Sequence, residues 1–240
     1  MQKEFSIGTT PVYNTYPDNG TRHPGIILIE EIWGLNDHIK EVADRFAKEG
    51  YVVLAPELLP SDLRTFLTPE LQRDLFDPEK RDTVQPKLRE AMQPIQQPAY
   101  AHTAITALKA CIEYLYTDAH VSSVAAVGFC FGGTYAFHIA AQDARVHAAV
   151  PFYGQPPSTD EIPHIQGPIL SFYGDQDTHL MQTLPELKEQ MLLHHKTFEA
   201  IVYPGAGHAF FNDTNVRMYN ASAAADAWQK TLVFLKQNLI

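Results

Sequence analysis

The sequence predicts an α/β fold in which a mainly parallel sheet is covered by helices on both faces. Short apolar runs alternate along the chain with longer segments whose apolar residues recur at helical spacing. The chain has 240 residues, a length that α/β folds often form as one unit. We therefore expect a single domain over residues 1–240.

The first strand and helix signals lie near the N-terminus. The run GIILIE (25–30) is typical of a buried strand, and YVVLAP (51–56) of the next one. Between them apolar residues recur at helical spacing, with Asn36 or Asp37 as the N-cap and Gly50 just past the last turn. This order of strand, helix and strand is that of a parallel pair with a helical crossover.

The same alternation continues from residue 99 to the end of the chain. The predicted helices cover residues 99–117, 131–142, about 183–195 and about 221–238. The predicted strands cover 123–128, 147–154, 168–174 and 197–204. Each strand after the first is thus reached through a helix or a long connection, as a mainly parallel sheet requires.

Residues 57–98 break this alternation. Prolines recur through the segment among charged residues and short amphipathic pieces, and no strand is predicted there. A stretch this long without strands in an α/β domain is usually an excursion over the surface or a lid near a site. Both interpretations remain open from the sequence.

Charge and hydropathy exclude several classes of protein. The 18 Lys and Arg residues face 28 Asp and Glu residues, and the net charge of −10 disfavours binding to nucleic acid. No apolar run approaches the roughly 18 residues of a membrane span. The N-terminal residues lack the basic and then apolar pattern of a secretory signal, so we expect a cytoplasmic protein.

The chain contains only two cysteines, Cys111 and Cys130, and neither has the spacing of a metal site. Cys111 lies within an apolar helical pattern and is predicted to be an inert core residue. Cys130 lies in VGFCFGG (127–133), where a predicted strand ends and a predicted helix begins. The two cysteines therefore call for different interpretations.

The glycines around Cys130 indicate a nucleophile held on a tight turn. The pattern G-x-C-x-G allows the backbone to fold sharply and leaves N–H groups at the helix N-terminus free to bind an oxyanion. The same helix end favours the thiolate, which is the reactive form of cysteine. A buried cysteine in a strand–helix turn is the alternative, and the motif alone does not decide between the two.

Two other loops supply the partners that an acylating thiol needs. Asp175 and Asp177 follow one predicted strand, and His208 follows the last one. The order nucleophile, acid, histidine is that of the α/β-hydrolase triad, and these three loops would meet at one edge of a parallel sheet. Among the 11 histidines, His138 lies inside the predicted helix after the elbow and is not a catalytic candidate.

These motifs closely resemble those of the dienelactone hydrolase (carboxymethylenebutenolidase) family of α/β hydrolases. The segments that carry the resemblance are VGFCFGG, FYGDQDTH, PGAGHAFFNDT and IEEIWGLNDHIKEVADRFAKEGYVVLAPEL, and it extends from about residue 25 to the end. It implies an α/β-hydrolase fold with Cys130 as nucleophile, His208 as base and Asp177 as its orienter. It also implies a carboxylic ester or lactone as substrate, a thioester acyl-enzyme, and no cofactor or metal.

The resemblance further assigns the segment EEIWG. It implies that Glu31 contacts the resting thiol and moves aside on substrate binding. It also implies an oxyanion hole from the backbone N–H groups of Ile32 and Phe131, and substrate contacts from Trp33 and Phe210. Glu31 could instead be an ordinary polar residue at a strand end, but a carboxylate after a buried run is costly unless it is paired.

The substrate and the assembly remain open at this point. Family members that bind a substrate carboxylate use arginines, one of them a few residues after the catalytic histidine, where this chain has Phe210, Phe211, Asn212 and Asp213. A thioesterase or other acyl hydrolase on the same scaffold, and a non-catalytic binding or redox-sensing protein, are the alternatives. The sequence does not distinguish a monomer from a homodimer.

Overall fold

The computed structural model describes residues 1–17, 20–75, 77–117, 119 and 121–239. Its strands are β1 Gln2–Ile7, β2 Thr10–Thr15, β3 Gly25–Ile29, β4 Val52–Pro56, β5 Val124–Phe129, β6 Val146–Phe152, β7 Ile169–Gly174 and β8 Phe198–Tyr203. Its α-helices are α1 Asp37–Lys48, α2 Ser61–Phe66, α3 Pro69–Leu75, α4 Arg81–Ala91, α5 Pro98–Thr117, α6 Phe131–Gln142, α7 Thr178–Leu193 and α8 Ala221–Leu239. Short 3₁₀ turns cover Pro94–Gln96 and Ile162–His164.

The strands form one mixed sheet in the order β1-β2-β4-β3-β5-β6-β7-β8. Strands β3 to β8 pair in parallel, while β2 is antiparallel to both β1 and β4. Every residue of β3 and β5 is buried, as expected for central strands covered on both faces. The predicted α/β fold with a mainly parallel sheet is confirmed.

The N-terminal hairpin was not predicted. Strands β1 and β2 are joined by a two-residue loop, in which Gly8 has a φ of +61°. Such a loop favours glycine because L-residues with a side chain rarely adopt this conformation. Strand β1 is largely exposed and alternates weakly, so the sequence pattern gave little signal for it.

Helix α1 has the ends that the sequence predicted. The side chain of Asn36 accepts a hydrogen bond from the backbone N–H of Ile39, at 3.1 Å, and is therefore the N-cap. Gly50 follows the last turn with a φ of +99°, a conformation typical of a residue that ends a helix. Of the two predicted caps, Asn36 is the correct one.

Helix α7 begins earlier than predicted, at Thr178 rather than near residue 183. Pro185 lies inside this helix, whereas a proline more often occupies the first turn. The side chain of Asp177 accepts a 3.4 Å hydrogen bond from the N–H of Leu180 and so caps the helix. The residue predicted to orient the catalytic histidine therefore also fixes the start of α7.

The excursion at residues 57–98 contains α2, α3, α4 and a 3₁₀ turn, apart from Phe76, which lies outside the described residues. It has a small apolar core of its own, made of Leu59, Leu63, Leu67, Leu88 and Ile95. Trp33 and Phe131 pack against this cluster from the main domain. Local apolar contacts therefore hold the excursion beside the carboxyl end of the sheet.

Within the described part of the chain, no helix is both long and apolar enough to cross a membrane. The same residues contain no group of three or more His, Cys, Asp or Glu side chains arranged to hold a metal ion.

Candidate active site

Cys130 lies on a sharp turn between β5 and α6. Its φ of +54° and ψ of −110° are strained values for a residue with a side chain. A Cβ atom at Gly128 would lie 2.0 Å from the carbonyl oxygen of Gly132, and one at Gly132 would lie 2.2 Å from that of Ile29. Only glycine fits at these two positions, so the elbow depends on both.

Three loops at the carboxyl edge of the sheet bring the predicted triad residues together. His208 Nε2 lies 3.0 Å from Cys130 Sγ, and His208 Nδ1 lies 2.6 Å from Asp177 Oδ2. Cys130 follows β5, Asp177 follows β7 and His208 follows β8. The neighbouring Asp175 instead accepts hydrogen bonds from the N–H of Gly205 at 2.8 Å and from its neighbour Gln176.

The charges of the three groups stabilise one another. Burial by itself lowers the pKa of His208, but the negative charge of a Cys130 thiolate and the hydrogen bond to Asp177 outweigh it and hold this pKa well above its usual range. Burial raises the pKa of Asp177, yet the hydrogen bond from His208 and its positive charge bring the net value below normal. The arrangement favours a protonated His208 between the carboxylate of Asp177 and the sulfur of Cys130.

Two backbone N–H groups near Cys130 are available to a ligand. Phe131 is the first residue of α6, where an N–H has no partner within the helix. Ile32 lies in the loop after β3 and lines the same cleft as Cys130. Neither N–H donates a hydrogen bond to another described residue. The pair has the properties that an oxyanion hole requires.

Glu31 is buried but does not contact the thiol in this conformation. Its Oε1 accepts a hydrogen bond from the Tyr153 hydroxyl at 3.2 Å, and its Oε2 accepts one from Asn212 Nδ2 at 2.7 Å. The expected Glu31–Cys130 hydrogen bond is absent here because these two donors occupy the carboxylate and His208 occupies the thiol. Tyr153 has a φ of +38°, so its position is maintained by the surrounding packing.

Glu30 serves the excursion rather than the thiol. Its Oε1 accepts hydrogen bonds from the N–H groups of Leu58 at 2.8 Å and Leu59 at 2.9 Å, and its Oε2 has no partner among the described residues. Full burial raises the pKa of Glu30 to about 8, which the two N–H bonds only partly offset. This carboxyl therefore anchors the start of residues 57–98.

A cleft of about 390 Å³ opens over Cys130 and His208. The excursion and helix α5 form one wall, through Met92, Ile95, Gln96, Gln97, Pro98 and Ala101. The other wall consists of Ile32, Phe131, Thr134, Tyr135, His138, Tyr153 and Gln155. No Asp, Glu, Lys or Arg is among the described residues that line this cleft. The excursion therefore borders the site, and none of the arginines that the structure describes lines it.

Two predicted substrate contacts are not supported. Phe210 is fully buried between the rings of Tyr153 and Tyr203, with centroid distances of 5.4 and 5.3 Å, so it presents no surface to a ligand. Trp33 does not line the cleft and packs against the apolar cluster of the excursion instead. Both residues therefore pack behind the residues that line the cleft.

The sequence did not indicate Tyr153 or Asn212 as parts of the site. Tyr153 ends a buried apolar run and Asn212 lies in a polar loop, so neither stands out locally. The cost of burying Glu31 was the one signal that such donors had to exist. Their identity depends on which loops meet in space.

Comparison with known proteins identifies the family to which the chain belongs. The sequence model of the dienelactone hydrolase family matches residues 11–239. The chain belongs to the dienelactone hydrolase family. It is 35% identical to a putative carboxymethylenebutenolidase of Saccharolobus solfataricus, over 88% of each chain. It is 36% identical to one of Synechocystis, over 87% of this chain and 84% of the relative.

The fold of this dienelactone hydrolase family member matches that of solved relatives. The crystal structure of a putative dienelactone hydrolase from Klebsiella pneumoniae superimposes with a TM-score of 0.78 at 27% identity, covering 99% of this chain and 98% of that one. The α/β-hydrolase fold is thereby confirmed, and the chain is a carboxylic ester hydrolase. Family membership implies a small-molecule ester or lactone as substrate.

Proposed function

We propose that the protein hydrolyses a carboxylic ester or lactone through a thioester formed on Cys130, with His208 as the base and Asp177 as its orienter. The observation that supports this proposal is the continuous hydrogen-bond chain from Sγ through both nitrogens of His208 to Asp177, with distances of 3.0 and 2.6 Å. A nucleophile, a base within hydrogen-bond distance and an orienting carboxylate are the components of acyl transfer.

The acylation half-reaction begins when His208 accepts the proton of the Cys130 thiol, which gives a thiolate and an imidazolium. The Cys130 thiolate attacks the carbonyl carbon, and the carbonyl oxygen becomes an oxyanion. The N–H groups of Ile32 and Phe131 donate hydrogen bonds to that oxyanion. As the tetrahedral intermediate collapses, the C–O bond to the alcohol breaks and the His208 imidazolium transfers its Nε2 proton to the leaving oxygen. A lactone keeps its alcohol attached to the acyl group.

The deacylation half-reaction runs through the same groups. Neutral His208 accepts a proton from water, and the hydroxide so formed attacks the thioester carbon. Collapse of this second intermediate expels the Cys130 thiolate, and the His208 imidazolium returns its proton to the sulfur, which restores the resting thiol. Asp177 holds the imidazole in one orientation throughout, because its Oδ2 accepts the hydrogen bond from Nδ1.

Glu31 is a second group that can act on the thiol. The pKa of Tyr153 is raised well above its usual range by burial and then by the charges of Glu31 and Cys130, so both groups lie within electrostatic reach of one hydroxyl. A substrate that displaces Tyr153 or Asn212 from the carboxylate would free Glu31 to accept the thiol proton. In this conformation, both carboxylate oxygens of Glu31 accept hydrogen bonds from those two donors.

The test is a hydrolysis screen of the purified protein against dienelactone, simple aryl esters and acyl thioesters. Turnover of the first two with much slower thioester cleavage is the expected result, and preferential thioester cleavage would indicate a thioesterase. Intact-mass analysis during aryl ester turnover should show one acyl group, located on Cys130 by peptide mapping. An acyl group on another residue, or hydrolysis of no compound, would contradict the proposal.

A further inference from the structure

A second histidine–carboxylate pair lies on the wall of the same cleft. Phe131, Tyr135 and His138 all line the cleft, and their spacing of four and three residues places them on one face of α6. His138 follows the elbow by two helical turns, so at 1.5 Å per residue it lies about 10 Å along the helix from Phe131. It is therefore too far from Cys130 to share in bond cleavage, and it faces the distal part of a bound substrate.

Glu161 fixes the orientation of the His138 ring. Nδ1 of His138 lies 2.8 and 3.0 Å from the two carboxylate oxygens of Glu161. The carboxylate also accepts hydrogen bonds from Gln142 at 3.0 Å and from the N–H and hydroxyl of Ser158 at 3.1 and 3.0 Å. Five contacts thus hold Glu161 in place, and Nδ1–H of His138 is the donor to it.

Glu161 is ionised in the folded protein near neutral pH. Partial burial raises the pKa of Glu161, but the hydrogen bonds from His138 and Gln142 outweigh it and lower this pKa to about 2. Since the carboxylate can only accept, the neutral His138 ring carries its proton on Nδ1. Its Nε2 is then an acceptor, and it has no partner among the described residues.

The chemistry of this end of the cleft suits an uncharged hydroxyl group. A hydroxyl can donate to Nε2 of the neutral ring and can accept from Nε2–H of the protonated ring, so it matches either state. A carboxylate matches only the protonated ring, and it would approach the fixed charge of Glu161 in a cleft whose described lining contains no Lys or Arg. The intervening wall is mainly apolar, with Met92, Ile95 and Tyr135.

We propose that His138, positioned by Glu161, is a specificity-determining residue that binds a hydroxyl group at the distal end of the ester substrate, separated from the reacting carbonyl by a medium-length apolar segment. This proposal rests on the proposed function, because it places the reacting carbonyl at Cys130. It assigns the substrate to neutral hydroxylated esters or lactones rather than to esters that carry a carboxylate.

The test compares matched esters on the wild-type protein and on His138→Phe. One series is an aryl ester of a medium-chain acid that ends in a methyl, a hydroxyl or a carboxylate group, and a second series carries the same groups on the alcohol part. In one of the two series, the wild type should have a higher kcat/KM for the hydroxyl ester than for the methyl and carboxylate esters. His138→Phe should lower the ratio of hydroxyl to methyl ester by roughly two- to tenfold, the range of one neutral hydrogen bond.

A histidine remote from the cleft serves as the control. His147 also has a hydrogen-bonded ring, with contacts to Tyr116 and to the carbonyl of Arg145, and His147→Gln should leave the ratio unchanged. A purely structural role for the His138–Glu161 pair would lower kcat/KM for all three esters alike. Equal losses, or a wild type without a hydroxyl preference in either series, would overturn the proposal.

A second measurement does not depend on the folding of a His138 variant. In Cys130→Ala protein, the NMR resonance of His138 Nε2 should shift when the hydroxyl ester is added and should shift much less with the methyl ester. Identical responses to the two esters would also overturn the proposal. Failure of the proposed function has a different signature, since the wild type would then hydrolyse none of the esters.

Discussion

The two cysteines lie in contrasting parts of the α/β fold. Cys111 lies in the middle of α5, fully buried against the sheet, and burial alone raises the pKa of its thiol to about 12. Cys130 lies on the elbow at the N-terminus of α6, partly exposed and 3.0 Å from an imidazole nitrogen. One thiol is an apolar filler, and the other has the surroundings of a nucleophile.

The difference shows that both burial and the neighbouring charges set the pKa of a titratable group. Glu30 resembles Cys111, since burial outweighs its two backbone hydrogen bonds and the charge of Arg64 and raises its pKa to about 8. Asp177 is partly buried as well, but His208 beside it keeps its pKa below normal. At Asp177 an opposite charge and a hydrogen bond thus outweigh burial, which dominates at Glu30 and Cys111.

The largest expected effect is a loss of activity on substitution of Cys130 but not of Cys111. Cys130→Ala should lower kcat for ester hydrolysis by a factor on the order of 10⁴ to 10⁶, because the acyl acceptor is lost, while the fold is retained. Cys111→Ala should leave kcat within about threefold and act on stability instead, since it only opens a small cavity. Aryl ester assays and circular dichroism of both variants measure this. Turnover by Cys130→Ala within tenfold of the wild type would end the assignment.

The next effect separates two aspartates of one loop. Asp177→Asn should lower kcat by about 10⁴, because an amide can hold the imidazole in the wrong tautomer. Asp175→Asn is the matched control, and its expected loss is small because Asp175 bonds the N–H of Gly205 rather than His208. Steady-state kinetics of the two variants decide the matter, and equal losses would show that Asp177 has no special role.

Glu31→Gln tests whether a carboxylate near the elbow affects the thiol. Glutamine has one acceptor oxygen for the two donors Tyr153 and Asn212, so we expect a loss of roughly tenfold to hundredfold in turnover, the range for a hydrogen bond to a charged group. The pH profile of Cys130 alkylation by iodoacetamide should change too, because a negative charge near the sulfur is removed. Superimposable alkylation curves and unchanged turnover would return Glu31 to a purely structural role.

The smallest expected effect concerns Glu30 and the pH dependence of stability. The folded protein raises the pKa of this carboxyl from 4.5 to about 8, so it favours the protonated form. Stability should therefore fall as pH rises from about 4.5 towards 8, because the unfolded chain ionises first. The free energy of unfolding should fall less over this pH range in Glu30→Gln than in the wild type, by at least about 1 kcal/mol, since one pKa unit corresponds to about 1.4 kcal/mol. Urea titrations of both proteins at several pH values measure it, and parallel curves would contradict it.

Much of the fold and of the candidate triad could be predicted from local sequence patterns. The apolar periodicity predicted α5, α6, α8 and the central strands to within one or two residues, because buried elements must repeat their pattern. The glycines around Cys130 predicted a sharp turn at the end of a strand. Loops that follow parallel strands meet at one sheet edge, and this rule predicts from the sequence that Asp177 and His208 lie near the thiol.

Other features were decided by the tertiary structure alone. Which donors satisfy Glu31, whether Phe210 faces the cleft or the core, and which carboxylate orients His138 all depend on contacts between residues distant in the chain. Glu161 follows His138 by 23 positions and meets it only because the loop after β6 folds back over α6. Local patterns specify which face of an element is apolar, but side-chain partners are set by packing between elements, which no local pattern encodes.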